Sequence, residues 1–220
     1  MYVHERQRRR IWPVIVFHTM GTVGAPLLVV GMAYGGATYA VDGGPGVSVF
    51  FGNALVVVAF LLAFATGFLY QPGHPLQPFV AIVTSVLLAA GVLGISNKVE
   101  DETLRARGES TDCRVLDVDR QVHTSTYTDS NGVTHTTTTV DYKHKLRCAG
   151  GRPDSMTLEK KYADKGERVE VTFDPRGRVD PEPTRLLERD SPWHTTAWVA
   201  PLVAIGLRLL VLLAAVVRRR

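Results

Sequence analysis

Four long apolar runs enclose one polar segment, and that pattern limits what this chain can fold into more than any motif in it. The runs cover residues 11–35, 47–70, 79–96 and 195–217, and the polar segment covers residues 97–193. A bilayer hydrocarbon core about 30 Å thick is crossed by about 20 helical residues. Each run is close to that length. The pattern predicts an α+β membrane protein: four transmembrane helices plus a small antiparallel β-barrel or curled-sheet domain inserted between helices 3 and 4. Three parts follow: residues 1–96 with the N-terminal tail and helices 1–3, the β-domain of residues 97–193, and residues 194–220 with helix 4 and a basic tail.

The net charge of +4 raises the question of nucleic acid, and its distribution argues against it. The polar segment holds 17 Lys and Arg against 19 Asp and Glu, a nearly neutral mixture. The excess positive charge sits at Arg6, Arg8, Arg9 and Arg10 and at Arg218, Arg219 and Arg220, directly beside apolar runs. Arginine on short tails marks the cytoplasmic side of a membrane. An even number of spans puts both tails there, so residues 97–193 are expected outside the cytoplasm, in a multi-pass plasma-membrane protein. Lys98, Arg105, Arg107, Arg185 and Arg189 near the ends of that segment are a contrary signal, but long translocated domains are largely exempt from the rule. The first run has the basic start of a signal peptide. Its apolar stretch is too long for one, and a retained helix is expected.

Both cysteines, Cys113 and Cys148, lie in the polar segment. An even count confined to an outer domain suits a disulfide in an oxidising compartment; two unpaired thiols are the alternative.

Few membrane residues are polar. Arg208 falls about ten residues from the end of the last span, roughly 15 Å deep at 1.5 Å per residue, where a charge costs at least about 2.5 kcal/mol. It either faces a hydrated cavity or partner helix, or snorkels toward the cytoplasmic phosphates. His18 lies at a comparable, shallower depth in the first span. Gly31 and Gly35 form a small-xxx-small step, fit for an oligomer contact or for packing within the bundle, and Gly91 and Gly94 read the same way. Trp12, Tyr70, Trp193 and Trp198 fall near expected interfaces. The link 71–78 is punctuated by prolines and turns the second span into the third.

The polar segment opens with a charged helical stretch, residues 97–107, ending at Gly108. Strands follow. Asp129-Ser130-Asn131-Gly132 reads as a type I turn with glycine in the left-handed position, giving a three-residue hairpin loop with a bulge. That loop pairs residues whose numbers sum to 262, so Leu116 opposes Leu146 and Val122 opposes Val140. It also sets Cys113 against Ala149, one residue off Cys148, and a disulfide then requires a bulge. Two more strands are expected, one through Met156, Leu158 and Tyr162 and one through Val169, Val171 and Phe173. The turn 174–177 should close the sheet.

The distal hairpin is polar on both faces. Thr124, Thr126, Tyr127, Thr128, Asn131, Gly132, Thr134, His135, Thr136 and Thr138 compose it, and at about 3.3 Å per residue its arms reach roughly 30 Å. It is either an arm that adds an edge to another chain or a solvated hairpin without a partner. His123 and His135 share a face about 13 Å apart along the ribbon, and His144 lies on the other face, so no metal site is expected. No carboxylate is expected in an apolar surround, no catalytic or phosphate-binding motif occurs, and no cofactor is implied.

Residues 114–118 (Arg-Val-Leu-Asp-Val), 140–142 (Val-Asp-Tyr) and 166–175 (Gly-Glu-Arg-Val-Glu-Val-Thr-Phe-Asp-Pro) carry a likeness. On them the polar segment resembles an uncharacterised family of bacterial membrane proteins, in which a small β-domain of unknown function is flanked by transmembrane helices. The resemblance implies a membrane-tethered β-module and supplies no activity. The expected function is a non-enzymatic envelope protein whose outer domain binds a protein or envelope partner, or a second copy, within a larger membrane complex. The alternative is a small transport or channel subunit using His18 and Arg208.

Overall fold

The computed structural model describes residues 20–44, 46–69, 77–189 and 191–218. After one π-helical turn, Met20–Gly24, the elements are α1 (Ala25–Asp42), α2 (Val47–Leu69), α3 (Gln77–Arg107), β1 (Glu109–Thr128), β2 (Thr134–Cys148), β3 (Ser155–Leu158), β4 (Arg168–Phe173), β5 (Glu182–Pro183), α4 (Thr184–Leu187) and α5 (Pro192–Arg218). They form two compact units, Met1–Asp101 with Ser191–Arg220, and Glu102–Asp190. His18, Trp12, Tyr70, the first arginine-rich tail, Arg219, Arg220 and the link 71–76 lie outside the described residues.

Among the described residues, four stretches are long and apolar enough to cross a membrane: Met20–Asp42, Val47–Gly67, Pro78–Arg107 and Thr184–Ala215. Their inside-out composition fits that solvent. Ala33, Ala37, Ala40, Ala59, Ala63, Ala197, Ala200 and Ala204 are buried, while Leu27, Leu28, Phe50, Phe51, Leu61, Phe79, Ile82, Leu202 and Leu210 are exposed. Lipid gives large apolar side chains no reason to turn inward, so helices close on small residues instead. A Cβ on Gly52 would sit 2.5 Å from the Ala40 nitrogen, one on Gly91 would sit 2.6 Å from Pro201 Cγ, and one on Gly94 would sit 2.8 Å from the Ala197 nitrogen. Glycine therefore sets the α1–α2 and α3–α5 approaches. His194 Nε2 also donates to the Asp101 carboxylate at 3.1 Å, joining α5 to α3.

Two expectations change here. The first described span ends at Asp42, not at residue 35, because Gly36, Ala37, Ala40 and Val41 are buried and continue the helix past the glycine pair. And a Cβ on Gly31 or Gly35 would meet nothing within 4 Å among the described residues. Gly36, facing Gly52, makes the close approach within the bundle.

The β unit is an open five-stranded antiparallel sheet in the order β3-β2-β1-β4-β5. It is not a barrel. The outer strands are too short to close one: β3 has four residues, and β5 has two, one of them Pro183, which has no N–H to donate. The turn at Asp174 does not end the sheet either, since β5 pairs beyond it. The strand expected through Tyr162 stops at Leu158, and the chain then leaves the sheet, with Tyr162 and the buried Ala163 packing on the core. That core comprises Cys113, Val115, Leu146, Cys148, Met156, Ala163, Val169 and Val171.

The cysteine register resolves through one residue. In β1–β2 the distal pairs follow the expected sum, Val122 opposite Val140 and Thr128 opposite Thr134. Between Val115 and Asp117 the register shifts, and below the shift Val115 opposes Leu146 and Cys113 opposes Cys148. Leu116 is thus not opposite Leu146: it is the extra residue of a bulge, and 37% exposed. Because an extra residue reverses side-chain parity, Val115 and Cys113 turn into the core and the Cys113–Cys148 disulfide forms across directly opposed positions.

Candidate functional site

The distal ribbon is the most distinctive surface. Among the described residues, no strand pairs with the outer edge of β1 beyond Arg114, and none pairs with that of β2 before Tyr142. Residues 122–128 and 130–139 are exposed throughout, and Asp129 is half-buried. None of them belongs to the core.

The ribbon is nevertheless well ordered at its tip. The Asp129 N–H donates to the Val133 carbonyl at 2.9 Å, the Gly132 N–H donates to the Asp129 carbonyl at 3.0 Å, and Gly132 has φ +80°. The turn is thus the expected three-residue loop, and only glycine takes that φ without strain. Asp129 Oδ1 accepts the N–H groups of Asn131 and Val133, both at 2.9 Å, and Oδ2 accepts His135 Nε2 at 3.2 Å. The hydrogen bonds from Val133 and His135 hold the Asp129 carboxyl below its ordinary value; desolvation opposes them and the Asn131 N–H adds to them. His135 also stacks on Tyr127, centroids 4.9 Å apart.

The register sorts the other side chains. Thr124, Thr126 and Thr128 oppose Thr138, Thr136 and Thr134, so six threonines tile one face in two rows. The opposite face carries His123 across from Thr139, Ser125 across from Thr137, and the Tyr127–His135 stack.

Arg208 occupies the helical unit's interior. It is fully buried. Its Nε donates to Thr84 Oγ1 on α3 at 3.0 Å and its Nη2 to Thr66 Oγ1 on α2 at 3.1 Å. Each hydroxyl in turn donates to the carbonyl three residues earlier, Ala63 for Thr66 and Ala81 for Thr84. A hydroxyl can do both at once, so each threonine accepts a guanidinium bond without losing its own. The side chain therefore turns into the bundle instead of reaching outward along it.

Three features escaped the sequence reading. Thr66 and Thr84 were legible only as scattered span hydroxyls. His144 is a fully buried residue whose Nδ1 pairs with the Tyr142 carbonyl at 3.2 Å and whose Nε2 accepts the Tyr162 N–H at 3.4 Å, so both ring nitrogens have partners. Asp174 corrects the expectation of no perturbed carboxylate. Its side chain is fully buried, and Arg107 grips it bidentately, Nε to Oδ1 and Nη2 to Oδ2, each at 3.0 Å. The N–H groups of Arg176 and Arg178 complete its shell. Burial pushes its pKa up, but the Arg107 bonds, the two backbone donors and the Arg107 charge outweigh that and leave it lowered. The Asp-Pro-Arg-Gly turn was the available signal, since aspartate opening a turn binds the amides that follow.

The concave regions of the β unit are surface clefts of about 360–400 Å³. One, beside Asp174, is lined by Arg152, Pro153, Phe173, Pro175 and Arg176. Among the described residues no group of three His, Cys, Asp or Glu side chains could hold a metal ion. Comparison with known proteins gives no matching family model and no matching curated protein.

Proposed function

We propose that this chain is a non-enzymatic multi-pass membrane protein that displays its β unit outside the cytoplasm and uses the β1–β2 ribbon to hold a protein or envelope partner within a larger membrane assembly. The observation that carries the proposal is the ribbon: a long, exposed, internally ordered arm that adds nothing to its own core. An exposed ribbon with unpaired strand edges has the chemistry that edge addition uses. Open strand edges supply backbone hydrogen bonds, and alternate side chains supply specificity. The arginine-rich tails and the Cys113–Cys148 disulfide support the orientation. The bonds from Arg208 to two neighbouring helices support a clamp in the bundle rather than a conduit. The residues that carry the family resemblance fall on β1, β2 and β4, in keeping with a tethered β-module.

The test is to replace residues 124–138 with a two-residue turn in the full chain and to compare what co-elutes with it and with the parent from mild detergent. The shortened protein should remain inserted and disulfide-bonded while losing a stoichiometric companion. An unchanged set of co-eluting proteins would sink the proposal.

A further inference from the structure

The free edge of β1 has a self-complementary pattern, and the geometry points to a second copy of this chain as its partner, joined edge to edge across a two-fold axis at Thr126. This rests on the ribbon being an interaction element and names what it pairs with.

Backbone direction comes first. In an antiparallel pair, residues alternate between those that bond to the facing strand and those whose N–H and C=O point away. The Asp129 N–H bonds to the Val133 carbonyl, so Tyr127, Ser125 and His123 also bond inward to β2. Thr124, Thr126 and Thr128 therefore aim their backbone groups at the open edge. A two-fold axis at Thr126 sets Thr126 against Thr126 of the second copy, and Thr124 against its Thr128, in both directions. Three pairs exchanging two bonds each give about six backbone hydrogen bonds. Threonine suits each of these positions, because Thr–Thr cross-strand pairs are favourable.

Side-chain charge agrees with this register. Asp129 is the only Asp, Glu, Lys or Arg from residue 123 to residue 139. The same axis sets His123 against Asp129 of the second copy, on the face where Asp129 already accepts His135. No two like charges meet. Composition points the same way: isolated proteins blunt long strand edges with lysine, proline or a bulge. This chain bulges at Leu116, where β1 must reach the disulfide, and has none of these devices from residue 123 to residue 128. An edge left open and made of self-matching residues fits a copy of itself.

The experiment uses the full chain in native membranes and in mild detergent. Thr126→Cys, oxidised with copper phenanthroline, should give a covalent dimer at twice the 24.1 kDa chain mass on a non-reducing gel. Thr136→Cys, on the far strand of the ribbon, should give little. Thr126→Lys sets two ammonium groups face to face and should weaken dimerisation on the order of tenfold to a hundredfold by native mass spectrometry. Retention of the Cys113–Cys148 bond in each variant shows that the β unit has folded. A stronger link at Thr136 or Ser125 than at Thr126, or a dimer that Thr126→Lys leaves intact, would overturn the inference. So would a monomer throughout, and a monomer that still loses a different companion when the ribbon is cut would leave the proposed function standing without it.

Discussion

At the scale of single residues, two arginines do opposite work. Arg208 is a charge in a bundle whose other buried residues are alanines, aliphatics such as Leu88, Val92 and Ile95, and a few hydroxyls. Its insertion costs about 2.5–3.5 kcal/mol, while an interhelical hydrogen bond in a membrane contributes about 0.6 kcal/mol, at most about 1.7. The bonds to Thr66 and Thr84 thus offset part of the cost. The consequence has a definite sign. Thr66→Val with Thr84→Val, leaving the charge in place, should destabilise the helical unit by about 1–3 kcal/mol. Arg208→Leu, which removes the charge, should cost less than that pair or nothing, because an apolar replacement of a buried ion is often neutral. Unfolding in detergent, measured for the three variants, checks the order; a larger loss in Arg208→Leu contradicts it. Arg107 does the reverse, neutralising the buried Asp174. Removing it should cost the β unit about 3 kcal/mol. Since the folded Asp174 pKa lies below its ordinary value of 3.8, that carboxylate contributes in full above 3.8, and its contribution is lost as pH falls through the lower folded value. Asp174→Asn should flatten the acid limb of a pH–stability curve, and an unaltered limb contradicts the assignment.

At the scale of elements, the hairpin was readable because its signal is local. Asp129, Asn131 and Gly132 each need one turn position, and the resulting register holds from Thr128 to Asp117. The bulge was readable only as a conflict between turn register and cysteine pairing, and its site at Leu116 depended on which residues the core accepts. Barrel closure could not be judged from alternation, because β3 ends at Leu158, where the chain leaves the sheet toward Tyr162 and Ala163 on the core, and β5 passes after two residues into α4. The extent of α1 was hidden for a similar reason: Gly35 and Gly36 look like a helix end, and the facing Gly52 makes the second of them a packing site. The candidate site was legible as composition, eight threonines in an exposed hairpin, but the Asp129–His135–Tyr127 arrangement needed the fold. The disulfide closes a loop with a sequence separation of 35, worth ~3–4 kcal/mol in the chain-entropy account. Cys113→Ser with Cys148→Ser should lower the melting point of the β unit while leaving the helical spans inserted. A melting point that stays put shows that the core holds without it.

At the scale of the whole molecule, the chain combines apolar helices long enough to cross a membrane with a β unit whose longest element reaches beyond its own core. The central claim is that this unit is displayed outside the cytoplasm, where the disulfide persists and the ribbon can meet a partner. Labelling at the ribbon tip tests that claim most directly. Asn131 is exposed and lies in the loop between β1 and β2, so Asn131→Cys offers a thiol at the tip. In sealed right-side-out membrane vesicles a membrane-impermeant maleimide should modify it fully, while a cysteine placed in the C-terminal arginine tail should react only after the membrane is permeabilised. Labelling of Asn131→Cys only after permeabilisation would put the β unit in the cytoplasm and contradict the account.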